Sequence, residues 1–314
     1  MTFHRESTTD EVLAGIDLTG RRYLVTGAGS GLGIETVRVL ATHGAEVLAA
    51  VRDATAPGAA LDALRSDLPD AVIEPVSIEL GSLDHVRAAA ADLVASGRPL
   101  DGVCANAGVM GTPEGTTTDG FETQFGVNHL GHFVLIGRLL PLLLDGGPAK
   151  VVTVSSAGHR IADIDLDDPN WRRRPYDKWD AYGAAKTANI LHAVELERRF
   201  GDRGLHADAV HPGGIRTNLG RHFDPVDRER MPEIMRITGE ASFKSLEAGT
   251  ATQVWGLAHP EMEGSGGRYL FDCTVSAVYD HPEALGGHAP WALDADRARR
   301  LWELSEELVG ERFG

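Results

Sequence analysis

Short apolar runs alternate with longer amphipathic segments along most of the chain. The short runs are continuous in Val, Ile, Leu and Ala, which is typical of strands buried on both faces of a sheet. Strands are predicted over 22–26, 46–51, 72–78, 102–105, 150–155, 206–211 and 267–271. Helices are predicted between them over 32–43, 61–67, 82–95, 120–144, 181–200 and 245–258. This repetition implies right-handed crossovers, and hence a doubly wound parallel sheet of about seven strands with helices on both faces.

The pattern predicts one α/β domain of the Rossmann type over the whole 314 residues. Residues 159–180 and 219–244 interrupt it with long, charged and aromatic-bearing stretches. Such segments in a compact domain are usually functional, so we predict insertions on the substrate side there. Residues 1–20 are predicted as an N-terminal extension with a capped helix start at Thr8. Residues 275–314 are predicted as a C-terminal extension with an amphipathic helix over 291–308.

The charge balance excludes one class of partner. Thirty basic and 46 acidic side chains give a formal net charge of −16, whereas a nucleic-acid-binding protein needs a clustered basic face. The N-terminus lacks an apolar signal core and the most apolar run, 133–144, is too short to span a bilayer, so we expect a cytoplasmic protein with no membrane partner. Two cysteines make no disulfide framework, and the histidine spacing predicts no metal site.

A glycine-rich turn follows the first predicted strand and opens the first predicted helix. Residues 26–33 read TGAGSGLG, which fits the spacing TGxxxGxG. Gly27 allows a tight turn, Gly31 lets the backbone approach a pyrophosphate, and Gly33 lets the helix pack against the strand. The free N–H groups of the helix N-terminus then hold the phosphate charge. The turn therefore predicts a dinucleotide site that includes Gly27, Ser30, Gly31, Leu32 and Gly33.

The tip of the second predicted strand indicates which dinucleotide is bound. A carboxylate at this tip accepts the adenosine ribose hydroxyls and favours NAD, whereas an arginine pairs with a 2′-phosphate and favours NADP. Arg52 precedes Asp53 here, so NADP(H) is favoured and NAD(H) is the alternative. A solvated surface charge is the other interpretation of Arg52.

Two further signals are candidates for acid/base chemistry. Tyr182 and Lys186 are spaced i,i+4 in a predicted helix, so they share one face. The ammonium favours the phenolate and lowers the tyrosine pKa, which suits proton transfer to and from a substrate oxygen. Ser155 and Ser156 end the fifth predicted strand, where a hydroxyl can donate to that oxygen. Each signal alone is weak, because surface helices carry such pairs and serines also cap turns.

Together the motifs resemble those of the short-chain dehydrogenase/reductase family. The glycine loop is followed, in the family's order, by Asn106-Ala107-Gly108, Val127-Asn128, Ser155-Ser156, Tyr182 with Lys186, and residues 212–217, PGGIRT. Residues 127–133, VNHLGHF, the insert before Tyr182, and residues 186–189, KTAN, are most similar to the retinol-dehydrogenase-like group. The resemblance covers roughly residues 20 to 275.

The resemblance implies hydride transfer between a nicotinamide and an alcohol/ketone or aldehyde substrate. It implies that Tyr182 is the general acid/base and that Lys186 lowers its pKa and binds the nicotinamide ribose. Ser156 would donate to the substrate oxygen, and Asn128 would hold a water in a proton relay to Lys186. The implied cofactor contacts beyond the loop are Arg52, Asp53, Glu79, Leu80, Asn106, Ala107, Gly108, Tyr182, Lys186, Pro212, Gly213, Ile215 and Thr217. A homodimer or homotetramer built on helices 120–144 and 181–200 is also implied.

Two departures from the family pattern and two alternative functions accompany this interpretation. Glu79 stands where the family commonly has an aspartate beside the adenine, and the 160–180 insert lengthens the spacing between Ser156 and Tyr182.

The alternatives are a non-catalytic NADP-binding sensor, which would typically lack these side chains, and an epimerase or dehydratase of the extended branch. Trp171, Trp179 and Phe223 are candidates either for an apolar pocket wall or for ordinary packing.

Overall fold

Strands and helices alternate along the computed structural model, which describes residues 3–239, 242–278 and 287–314. The strands are β1 Arg22–Thr26, β2 Glu46–Val51, β3 Ile73–Ser77, β4 Gly102–Ala105, β5 Ala149–Val154, β6 Leu205–His211, β7 Gly214–Ile215, β8 Phe243–Lys244, β9 Tyr269–Phe271 and β10 Thr274–Val275. The helices are α1 Thr9–Val12, α2 Gly31–Thr42, α3 Ala59–Asp67, α4 Leu83–Ala95, α5 Thr123–Phe125, α6 Gly131–Asp145, α7 Lys178–Phe200, α8 Pro225–Thr238, α9 Leu246–Ala258 and α10 Ala295–Val309.

Eight of these strands form one sheet in the order β10-β9-β6-β5-β4-β1-β2-β3. All neighbours pair in parallel except β10, which is antiparallel to β9. The predicted doubly wound sheet is confirmed, and β10 is an additional edge strand that the sequence pattern did not predict. The strand order reverses between β1 and β4, and in open α/β sheets ligands bind outside the carboxyl ends of the strands at such a point.

Apolar side chains cover both faces of the sheet. Successive residues of β1 point to opposite faces, so Leu24 lies in one buried cluster with side chains of α4, α6, α7 and α10. Val25 lies in the other cluster, with side chains of α1, α2 and α9. Burial on both faces explains why the strands are continuous apolar runs.

The predicted helix over 120–144 is interrupted beside the site. It consists of α5, a π-helical turn over Gly126–Leu130, and α6. Single π-helical turns inside helices occur frequently at functional sites. Considered as one helix, Thr123–Asp145 is apolar and long enough to cross a membrane, but 78% of its most apolar window is buried inside the protein. This segment therefore belongs to the protein core.

The C-terminal extension packs against the helices on which the implied oligomer would be built. The Trp302 ring of α10 lies 4.9 Å from the Phe133 ring of α6 and 6.1 Å from the Phe200 ring of α7, measured between centroids. Glu311 forms ion pairs with Arg87 and Arg138 at 2.7 Å. The chain's own C-terminus thus occupies part of that surface, and the oligomeric state stays a prediction.

Candidate active site

A cleft of about 1030 Å³ opens at the carboxyl ends of the central strands. Its walls include Thr26 at the end of β1, Val51 at the end of β2 and Val154 at the end of β5. Every predicted site residue lines this cleft except Gly33, Asp53 and Asn128. The residues that the sequence analysis selected from distant segments are therefore brought together at one edge of the sheet.

The glycine loop has the backbone that a dinucleotide site requires. Gly27 and Gly31 have φ angles of +67° and +56°, a region that strongly favours glycine. A Cβ on Gly33 would lie 2.1 Å from the carbonyl oxygen of Gly27, so only glycine lets α2 pack this closely against the loop. The N-terminus of α2 then opens directly onto the cleft, where it can hold a pyrophosphate. These features fit a dinucleotide.

A hydrogen-bonded group connects the loop to the π-helical turn. The Thr26 hydroxyl oxygen accepts the backbone N–H groups of Asn106 at 2.9 Å and Ala107 at 3.0 Å. It also lies 2.9 Å from Nε2 of His132, whose Nδ1 lies 2.9 Å from the carbonyl oxygen of Asn128. Because a carbonyl can only accept, Nδ1 carries the proton and Nε2 accepts from Thr26. The sequence analysis noted His132 only as part of the resemblance and missed this function.

The two candidate residues at the β2 tip have different positions. Arg52 is exposed and lines the cleft, whereas Asp53 does not line it. The Asp53 carboxylate accepts from the backbone N–H of Thr55 at 2.9 Å and from its hydroxyl at 2.6 Å. Hydrogen bonds from the Thr55 side chain and backbone lower the pKa of Asp53 and keep it turned to its own loop. The structure thus places Asp53 outside the cleft, with its carboxylate engaged by Thr55, and a contact between Asp53 and the cofactor stays a prediction.

Glu79 lines the cleft beyond the carboxyl end of β3, next to Leu80. One carboxylate oxygen, Oε1, accepts from the backbone N–H of Gly81 at 3.0 Å, and the backbone N–H of Glu79 donates to Nδ1 of His85 at 3.2 Å. The side chain is therefore held in place at the position predicted for the adenine contact.

Tyr182 and Lys186 face the cleft from consecutive turns of α7. Nζ of Lys186 lies 5.7 Å from the centroid of the Tyr182 ring and donates to the carbonyl oxygen of Val154 at 2.8 Å. Burial lowers the pKa of Lys186 to about 8. The ammonium thus lies beside the tyrosine ring, as the i,i+4 spacing predicts.

The two adjacent serines serve different purposes. The hydroxyl of Ser155 donates to the carbonyl oxygen of Lys186 at 2.8 Å and so fixes α7 on the end of β5. Oγ of Ser156 accepts from the N–H of Gly158 at 3.0 Å. A Cβ on Gly158 would lie 3.3 Å from Oγ of Ser156 and 2.7 Å from the Tyr182 ring, so both side chains flank this glycine. Ser156 is therefore the serine beside the tyrosine.

Asn128 is buried behind the cleft wall in the π-helical turn. Its carboxamide accepts from the N–H of Val109 at 2.8 Å and donates to the carbonyl oxygen of Val109 at 2.9 Å. A Cβ on Gly108 would lie 3.1 Å from the Asn128 carboxamide oxygen and 3.6 Å from Nζ of Lys186. Asn128 is thus near the lysine but its carboxamide is engaged elsewhere, and the proton relay stays a prediction.

Comparison with known proteins assigns the chain to a family. A model of the short-chain dehydrogenases matches residues 21–226. The chain belongs to the short-chain dehydrogenase/reductase family. It is 38% identical over 297 residues to the short-chain dehydrogenase/reductase prx1 of Penicillium roqueforti, covering 91% of this chain and 84% of that protein. It is 37% identical over 305 residues to human retinol dehydrogenase 14, covering 93% and 87% of the two chains.

A solved structure has the same overall fold along nearly the whole chain. The crystal structure of an uncharacterized protein from Mycobacterium paratuberculosis superimposes with a TM-score of 0.74 at 32% identity, and the match covers 98% of this chain and 99% of that one. The resemblance to the retinol-dehydrogenase-like group is confirmed. Membership in this family makes the protein an NAD(P)-dependent oxidoreductase.

The cleft contains a further wall that the sequence analysis missed. Residues 219–244 were predicted only as an insertion, but they contain α8, whose Met231, Ile234 and Met235 line the cleft. Phe223 and Trp179 also line it, with ring centroids 5.1 Å apart. Both residues therefore belong to the apolar pocket wall. The signals for α8 were present in the sequence, since an aspartate N-cap precedes Pro225 and a glycine follows Thr238.

Trp171 has a different position from the other aromatic candidates. Its ring packs against Tyr176 at 5.6 Å and beneath the guanidinium of Arg174 at 3.9 Å, and it does not line the cleft. Trp171 therefore packs against neighbouring side chains and is not part of the pocket wall.

Proposed function

We propose that this enzyme interconverts a ketone or aldehyde and the corresponding alcohol, and that it prefers NADP(H) to NAD(H). The observation that carries the proposal is the common cleft, in which Tyr182, Lys186 and Ser156 share the walls with the glycine loop. A dinucleotide bound on that loop and a substrate oxygen near the tyrosine would both lie inside this cleft.

The side chains of this site supply the proton chemistry of the reaction. When bound, the nicotinamide supplies the hydride for carbonyl reduction or accepts it in alcohol oxidation. In reduction the carbonyl π electrons move to the oxygen, and Tyr182 gives that oxygen its phenolic proton. The Ser156 hydroxyl donates a hydrogen bond to the same oxygen as its charge develops. Lys186 stabilises the phenolate that is left, and in oxidation the proton moves the opposite way.

The direct test is consumption of NADPH or NADH with a broad panel of ketones and aldehydes. We expect turnover of at least one carbonyl compound, and formation of the matching alcohol in equal amount. Tight NADPH binding without turnover of any compound would instead indicate the sensor.

The NADP preference depends on Arg52. Its guanidinium has no ion-pair partner within the described part of the chain and faces the cleft, so a 2′-phosphate can pair with it. We expect Arg52→Ala to weaken NADP(H) binding about tenfold or more and to change NAD(H) binding little. Dissociation constants for both cofactors, measured by fluorescence titration, check this.

Arg65→Ala is a matched control, because Arg65 is an arginine on the neighbouring helix α3 that does not line the cleft. It should leave both dissociation constants unchanged. An equal loss of NAD(H) and NADP(H) affinity in Arg52→Ala would rule out the 2′-phosphate contact.

A further inference from the structure

One face of α8 forms a wall of the cleft. The residues of this face are Arg228, Met231, Ile234, Met235 and Thr238. Their spacing of three or four residues is that of one helical stripe. Three of the side chains are apolar, and the one charged member is a cation. The other charged side chains of α8 do not line the cleft.

The residue next to Arg228 fixes the orientation of this face. Asp227 is buried, and its carboxylate accepts from Nε1 of Trp179 at 2.9 Å and from Nζ of Lys178 at 2.5 Å. The first turn of α8 is therefore attached to the first turn of α7, one turn before Tyr182. Because both Asp227 oxygens are engaged, this carboxylate does not turn to Arg228.

Arg228 forms no ion pair with any residue that the structure describes, although the protein as a whole is strongly acidic. Arg216 and Arg221 also line the cleft, and Glu79, beyond the carboxyl end of β3, is the one carboxylate among the described lining residues. A cleft with cations and few carboxylates on an acidic protein attracts anions and concentrates them locally.

The dinucleotide does not account for Arg228. In the proposed function the N-terminus of α2 binds the pyrophosphate, and Arg52 at the tip of β2 binds the 2′-phosphate of the adenosine. Arg228 instead shares its helical face with Met231 and Ile234, on the helix that Asp227 attaches to Trp179. Its position therefore fits an anionic group on the substrate.

We propose that the substrate is an amphiphilic carbonyl compound or alcohol with an apolar body and a terminal carboxylate, and that Arg228 binds this carboxylate. The proposal rests on the proposed oxidoreductase function. The methionine-rich face of α8 packs against the apolar body, and a guanidinium matches a carboxylate through two parallel hydrogen bonds. The carboxylate is unchanged by the reaction, since the hydride and the proton both go to the carbonyl at the other end.

The experiment uses a series of methyl-ketone carboxylic acids of increasing chain length, each paired with its primary amide. Acid and amide have nearly the same shape and differ in charge, so the comparison isolates the anion. We expect wild-type enzyme to have a lower KM for the acid, most clearly at one chain length. Arg228→Ala should raise KM for that acid about tenfold and leave its kcat and the KM of the amide unchanged. Arg228→Lys should keep part of the preference for the acid over the amide.

Arg236→Ala is the matched control, because Arg236 is an exposed arginine of the same helix outside the cleft. It should leave the acid preference intact. A binding measurement complements the kinetics: saturated fatty acids should inhibit wild type competitively with the ketone and inhibit Arg228→Ala much less.

Three results would overturn the proposal. One is equal KM values for acid and amide in the wild type, and another is an equal change for both in Arg228→Ala. The third is a raised KM for NADPH in place of the keto acid, which would assign Arg228 to the cofactor. Failure of the proposed oxidoreductase function would be distinguishable from these results, because no ketone of either series would then be turned over.

Discussion

Tyr182→Phe is expected to lower turnover by about a thousandfold and to leave the affinity for NADP(H) nearly unchanged. The substitution removes the phenolic proton and keeps the ring that packs beside Gly158. Lys186 keeps its hydrogen bond to Val154, so the α7 wall of the cleft should hold its shape. Steady-state rates with any accepted ketone, together with fluorescence titration of NADPH, check both parts.

A chemically identical change elsewhere provides the control. Tyr176 does not line the cleft, and its hydroxyl donates to the carbonyl oxygen of Thr112 at 3.2 Å and lies 3.1 Å from Oε1 of Glu122. Tyr176→Phe should therefore leave kcat close to that of the wild type. Substantial activity in Tyr182→Phe would show that another group transfers the proton.

The catalytic half of the site could be predicted from the sequence because local rules determine it. The turn that begins at Gly27 follows a strand directly, and Tyr182 and Lys186 are adjacent on any α-helix. Parallel strands end at the same edge of their sheet, so motifs that follow different strands meet there. The sheet and its helices follow from apolar patterns of the same local kind.

The α8 wall of the cleft, where we propose that the substrate binds, depends on contacts between distant segments, and the sequence pattern does not contain them. The orientation of α8 is determined by the hydrogen bonds of Asp227 with Trp179 and Lys178, far away in the chain. The position of Asp53 outside the cleft depends on a loop hydrogen bond to its carboxylate. The π-helical turn leaves the apolar pattern nearly unchanged, so the predicted helix over 120–144 gave no sign of it.

Three buried histidines alone are expected to lower the free energy of unfolding by about 6 kcal/mol on acidification from pH 7 to pH 5. Burial lowers the pKa of His132 to about 4, and of His159 and His192 to about 3, from an ordinary value of 6.5. In the unfolded chain these groups are exposed and protonate near pH 6.5. Each histidine then contributes a loss of about 2 kcal/mol at pH 5.

The free energy of unfolding falls on acidification because the unfolded chain binds more protons than the folded protein. Below pH 6.5 the unfolded chain binds protons that the folded protein excludes, so stability is complete above that pH and falls as the pH decreases toward the folded-state values. Because most domains are stable by only about 5–15 kcal/mol, we expect cooperative unfolding between about pH 4 and 5. Protonation of His132 would also remove the acceptor that Thr26 uses, and so loosen the glycine loop.

Urea unfolding at a series of pH values measures this loss, and His192→Leu tests its cause. His192 lies between the rings of His129 and Trp302, and its Nε2 has no hydrogen-bond partner within the described residues, so leucine breaks no bond to that atom. The variant should lose about 2 kcal/mol less than the wild type between pH 7 and 5. His4→Leu, at an exposed position, should show the wild-type loss. A wild-type free energy of unfolding that is equal at both pH values would mean that the buried histidines take up protons without unfolding.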